Sequence, residues 1–185
     1  MRCFVAVDLE SEVIDRLAAI QKDIAGRVDL GKGVKWVEPD CIHLTLKFLG
    51  EIRDEQVPEI CRQVEQAAAS FESFQLKVGR IGTFGRPARV LWAGIEKSEP
   101  LLKLQESIEN AMVKAGFREE NRRFSGHLTL CRIKNFSAGK KLQSVLKDYS
   151  DTDFGTSWVR SVCVYRSELT SKGPIYTPIM EIKLH

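Results

Sequence analysis

Histidine is scarce in this 185-residue sequence: three occur, and one of them, His185, is the last residue. The five cysteines are odd in number and form no CxxC pair, which argues against a disulfide framework or zinc site and for reduced, mostly buried thiols. No apolar run approaches the length that spans a bilayer, and Met1-Arg2-Cys3-Phe4-Val5-Ala6-Val7-Asp8 is too short and too soon acidic for a signal peptide. A cytoplasmic protein with no membrane partner is therefore expected. Neither sign of charge dominates, and a net charge of +3 permits a polyanionic partner without demanding one. No low-complexity tract or linker divides the chain, so residues 1–185 are expected to form a single bilobal domain, with 43% hydrophobic residues to build its core.

Against that sparse background one tetrapeptide repeats. His43-Leu44-Thr45-Leu46 returns unchanged as His127-Leu128-Thr129-Leu130, a recurrence with odds on the order of one in a thousand for a chain of this size. Both copies have the pattern of strands. Alternation then places His43 with Thr45 on one face and Leu44 with Leu46 on the other, and His127 with Thr129 likewise. Each copy offers an imidazole beside a hydroxyl on a face that core packing does not require. The same alternation puts Lys47 with His43 and Thr45, either near a ligand or in solvent. It puts Arg132 opposite His127, able to reach the site only if the strand bends. Of the aromatic residues that could stack a base, Phe48 and Trp92 are expected in the core, and Tyr176 is left as a candidate groove contact.

In order along the chain, residues 2–9 read as a strand. A helix follows from Ser11 to a stop at Gly26, with Val13, Ile14, Leu17, Ile20 and Ile24 at helical spacing. Val34–Val37 and the first motif are strands, and a second helix covers about Asp54–Ser70. Strands at 74–82 and 88–95 suggest a hairpin around Thr83–Pro87. A third helix spans about Glu99–Ala115, and the charged stretch Arg118–Arg123 reads as a solvated loop. A shorter helix near Ala138–Tyr149 and strands near Ser157–Glu168 and Tyr176–Leu184 complete the chain, the last two separated by residues 170–174. This predicts an α+β fold of two pseudo-symmetric lobes. Each lobe is an antiparallel sheet with helices packed outside, and the active-site groove lies between them.

The two His-x-Thr motifs resemble those of the 2H phosphoesterase superfamily, and the flanks resemble its RNA 2′,3′-cyclic phosphodiesterases, once described as 2′-5′ RNA ligases. The resembling segments are the opening Met1–Val7, Trp36-Val37 through Gly50, Phe84 through Gly94, Ser167-Glu168-Leu169 and Gly173–Tyr176. One departure is the residue before the second motif, Gly126 where the family usually has proline.

The chemistry suits the motifs. Opening a ribose 2′,3′-cyclic phosphate needs a base for water, an acid for the departing oxygen, and donors for the non-bridging oxygens. Two imidazoles and two hydroxyls can supply these without cofactor or metal, and neither motif has carboxylates at ligand spacing. Spacing alone does not say which histidine is the acid. The resemblance implies His43 as proton donor and His127 as proton acceptor, Thr45, Thr129 and Arg132 on the phosphate, and a 2′-phosphate product. It also implies possible reversal to join RNA ends. The expected partner is an RNA or oligonucleotide with a 2′,3′-cyclic phosphate end, bound by a monomer. A non-catalytic binder of RNA terminal phosphates is the alternative, although binding alone would not need two titrating groups.

Overall fold

The computed structural model describes residues 1–171 and 173–185; Lys172, in the turn expected at 170–174, lies outside the described residues. Nine strands and four α-helices are seen among them: β1 (Arg2–Val7), α1 (Ser11–Arg27), β2 (Val34–Trp36), β3 (Leu44–Glu51), α2 (Val57–Ala68), β4 (Phe74–Phe84), β5 (Val90–Ile95), α3 (Glu99–Lys114), β6 (His127–Ile133), α4 (Phe136–Leu146), β7 (Asp153–Val159), β8 (Ser161–Leu169) and β9 (Pro174–Lys183).

The strands form two antiparallel sheets, ordered β3-β1-β8-β9 and β2-β6-β5-β4-β7. The first motif precedes and enters β3 and the second opens β6, so each sheet carries one. The expected α+β architecture of two sheets with helices outside is the one observed. Helices α2 and α3 pack together, with α2 against β8 and β9 and α3 against β3, while α1 lies on β7 and α4 on β6.

The lobes are interwoven. Strand β1 pairs with both β3 and β8, so strands from the two ends of the chain share the first sheet. Helix α1 follows β1 yet packs on the other sheet. The single strand expected at 157–168 is in fact two, because the chain crosses from the second sheet to the first at Arg160. Val159 and Val162 are both buried though three residues apart, so the buried face changes parity at the crossing, a break that a single-strand reading passes over. Glu10 holds the corner, its carboxylate accepting from the Trp158 amide at 3.0 Å and the Arg160 guanidinium at 2.5 Å.

Helix α1 buries Val13, Leu17, Gln21 and Ile24, one stripe at helical spacing. Ser98 caps α3 by accepting from the Leu101 amide at 3.4 Å, and Asn135 caps α4 by accepting from Ala138 at 2.9 Å. The central side chains, among them Leu44, Leu128, Leu130, Ile60 and Leu104, are less than 2% exposed and belong to one continuous apolar cluster. Both motif leucine pairs therefore point inward as alternation requires, and the opposite faces are left to the groove.

Candidate active site

A groove of about 1920 Å³ runs between the sheets, and His43, Thr45, His127, Thr129, Arg132 and Tyr176 all line it. The two motifs thus meet in one cavity. They also meet in the same pose. The Nδ1 of His43 lies 2.9 Å from the Cys41 carbonyl, and the Nδ1 of His127 lies 2.8 Å from that of Ser125. A carbonyl can only accept, so each Nδ1 carries a proton and each Nε2 is the nitrogen left for chemistry. Neither threonine hydroxyl has a hydrogen-bond partner among the described residues, so both can donate to a ligand.

The two imidazoles differ in surroundings. Phe4 stacks on His43 with ring centroids 4.7 Å apart, and Tyr176 meets it edge-on at 5.1 Å. Burial by these rings holds His43 below its ordinary imidazole pKa. His127 is met edge-on by Phe84 at 4.9 Å, which in turn packs on Trp92 at 5.3 Å. Trp92 is half-buried and lies over Gly82, where a Cβ would come within 2.3 Å of the indole ring. Gly126 packs against Ile95 and Leu101, and its carbonyl accepts from the Ile95 amide at 3.2 Å, so the entry to β6 is tied down without proline.

Strict alternation fails just after each threonine, and the failure has one cause. In β3, Thr45 faces Ala6 and Lys47 faces Val5, leaving Leu46 as an extra residue. In β6, Thr129 faces Trp92 and Cys131 faces Leu91, leaving Leu130 extra. Each is a β-bulge, and each reverses the facing of the residues that follow. Arg132 therefore turns into the groove. Lys47, 6% exposed, is not in solvent: it lies at the wall of the groove and spends its charge on an ion pair with Glu109 at 2.5 Å. Phe48, expected in the core, is 71% exposed and lines the groove. Cys131, the counterpart of Lys47, is fully buried, which pushes its thiol up to about 12.

Both bulges are held by a glutamine from a helix. Gln21 of α1 donates to the Leu130 carbonyl at 2.8 Å and to that of Val37 at 2.9 Å. Gln105 of α3 reaches the Leu46 carbonyl at 3.5 Å. Phe4 and residues 118–125 also line the groove, and Tyr165 backs Phe4 from behind. Phe4 was accessible to parity, since it falls opposite Val5 and Val7. Tyr165 stacks on Phe4 at 5.3 Å and donates to Asp8 at 2.5 Å. Among the described residues no group of three or more His, Cys, Asp or Glu is placed to hold a metal ion, and no helix is long and apolar enough to cross a membrane.

The sequence profile of LigT like phosphoesterases matches residues 7–92 and 94–176. An RNA 2′,3′-cyclic phosphodiesterase of Methanothermobacter thermautotrophicus is 34% identical over 100% of this chain and 99% of its own. One of Aquifex aeolicus is 34% identical over 100% of this chain and 97% of its own. A crystal structure from Thermus thermophilus superposes with a TM-score of 0.81 at 29% identity, covering 100% of this chain and 98% of that one.

Proposed function

Since the chain belongs to the LigT like phosphoesterase family, we propose that it hydrolyses RNA 2′,3′-cyclic phosphate ends to 2′-phosphates by paired-histidine acid–base catalysis. The observation that carries this reading is the convergence of both His-x-Thr motifs on one groove, each with Nε2 and hydroxyl unengaged among the described residues. The names of the full-length relatives support the substrate.

The roles follow the family resemblance. Neutral His127 takes a proton from water through Nε2 as the water oxygen bonds to phosphorus. The bond from phosphorus to the ribose O3′ breaks, and His43, protonated at Nε2, gives that oxygen its proton. Attack in line with the leaving oxygen requires the histidines on opposite sides of the phosphorus. Thr45, Thr129 and Arg132 donate to the non-bridging oxygens, where charge must be neutralised. Solvent then moves the proton gained by His127 back to His43. Burial lowers the charged fraction of His43 in the free protein, and the anionic phosphate beside it favours the imidazolium once substrate is bound. Running the steps backwards closes a 2′-phosphate onto the 3′ hydroxyl as a cyclic ester and releases water, whereas the forward steps with an RNA 5′ hydroxyl in place of water join two ends through a 2′-5′ linkage.

At the groove floor and rim, Tyr176 and exposed Phe48 provide ring faces for a nucleobase. The test is phosphorus NMR of the product from RNA ending in a 2′,3′-cyclic phosphate. A 2′-phosphate is expected, and a predominantly 3′-phosphate product would reverse the orientation assigned to the substrate.

A further inference from the structure

The loop joining α3 to β6 is exposed, as its charge suggests, but it is not idle. Glu109 and Lys47 form an ion pair shielded from water, at 13% and 6% exposure. Lys47 also donates to the Arg118 carbonyl at 2.7 Å, and Glu109 accepts from the Glu120 amide at 2.9 Å. One buried pair thus grips the loop backbone at two points. Arg118, Arg122 and Arg123 all line the groove. Glu119 and Glu120 border it too, although the Glu120 carboxylate is engaged by the Arg122 amide at 3.1 Å. Among the described residues none of these three guanidinium groups is paired, whereas Arg2, Arg62, Arg160 and Arg166 each pair with a carboxylate. Unpaired guanidinium groups on an anchored loop suit phosphate. The cyclic phosphate itself is served by the motif threonines and Arg132, so these arginines need other phosphates.

We propose that loop 118–123 binds phosphates of the RNA chain upstream of the terminal nucleotide, which makes an oligonucleotide end a better substrate than a cyclic mononucleotide. This rests on the activity proposed above. The test compares Arg118→Ala/Arg122→Ala/Arg123→Ala with the unaltered protein on a short RNA ending in a 2′,3′-cyclic phosphate and on 2′,3′-cyclic AMP. Binding of the 2′-phosphate-ended RNA is followed by fluorescence anisotropy across salt concentrations. The expected result is a loss of about tenfold or more in kcat/KM on RNA and a far smaller change on cyclic AMP. The log–log salt dependence of binding becomes shallower by about two units, as for three lost contacts to a single strand. Equal losses on both substrates, or no change in RNA binding, would overturn the proposal. Loop-dependent RNA binding without turnover of either substrate would support the loop and count against the hydrolytic reading instead.

A separate observation concerns Gln21. It is 7% exposed, and it adds a second donor to the carbonyl of the bulge residue Leu130, which already accepts from the Val37 amide on the β2 side at 2.9 Å. That bulge is what turns Arg132 inward. We infer that Gln21 is a positioning residue acting through Arg132. A double-mutant cycle tests it: Gln21→Leu should lower kcat/KM about tenfold alone and have no further effect on Arg132→Ala, with the pH profile unmoved. Gln21→Met serves where the leucine variant is unstable. The same loss in both backgrounds, or none in either, would overturn the inference.

Discussion

Phe48 and Arg132 occupy the same place in the two halves of the groove, each turned inward by a bulge at the residue after the motif threonine. The catalytic pairs are alike, but the flanking pair is one aromatic and one cation. Under the proposed activity this difference would let a pseudo-symmetric groove bind a nucleotide in one orientation. Replacing Phe48 with Ala should raise KM for a nucleotide substrate by about 1–3 kcal/mol of lost stacking and leave kcat nearly unchanged. A fall in kcat with KM constant would refute the stacking role.

His43→Ala and His127→Ala should each reduce kcat by about a hundred- to ten-thousand-fold, the usual worth of one acid or base. Circular dichroism and thermal melting should show both variants folded. Full activity in either would sink the paired mechanism.

The proposed chemistry needs one neutral and one charged imidazole, so kcat/KM should follow a bell against pH and be insensitive to EDTA. In His127→Asn, an NMR titration of the His43 ring should give a pKa below the usual imidazole value of about 6.5, because burial disfavours the cation. A folded pKa below the unfolded one means that the unfolded chain binds more protons in between. The contribution of His43 to stability is therefore present above the unfolded pKa and lost as pH falls toward the folded one. A His43 titration above the usual value would contradict this.

Thr45→Val and Thr129→Val keep the strand shape and remove one donor each. Loss of one such transition-state donor is typically worth about 100- to 1,000-fold in kcat, with little change in KM. Pre-steady-state turnover of a cyclic mononucleotide measures the split, and an unchanged kcat would make the hydroxyls structural.

Glu109→Ala leaves Lys47 buried without its partner and should cost about 3–5 kcal/mol of stability, read as a lowered midpoint in urea. Lys47→Met/Glu109→Leu removes both charges and should recover most of that loss. A double variant as unstable as the single one would show that the loss is one of packing rather than of an orphaned charge.

Much of the protein is written locally. The repeated motif placed both histidines and threonines, because a strand periodicity of two fixes which side chains share a face over short distances. The apolar stripes of α1 and α2 and the turn residues between strands gave most elements near their observed bounds. Two decisions lay beyond such reasoning. The crossing at Arg160 leaves only a change of parity between buried Val159 and Val162, and pairing with different strands is what divides β7 from β8. Lys47, Phe48 and Arg132 were faced wrongly or left open, because alternation cannot foresee an extra residue. A bulge exists where a partner strand skips a residue, and something must hold the extra residue in place. Here that something is a glutamine on a helix remote in sequence, Gln21 for Leu130 and Gln105 for Leu46. The sequence by itself determined the two His-x-Thr pairs and which of their side chains share a face. Which neighbours surround them was decided by tertiary structure, since facing after a bulge depends on hydrogen bonds between distant parts of the chain.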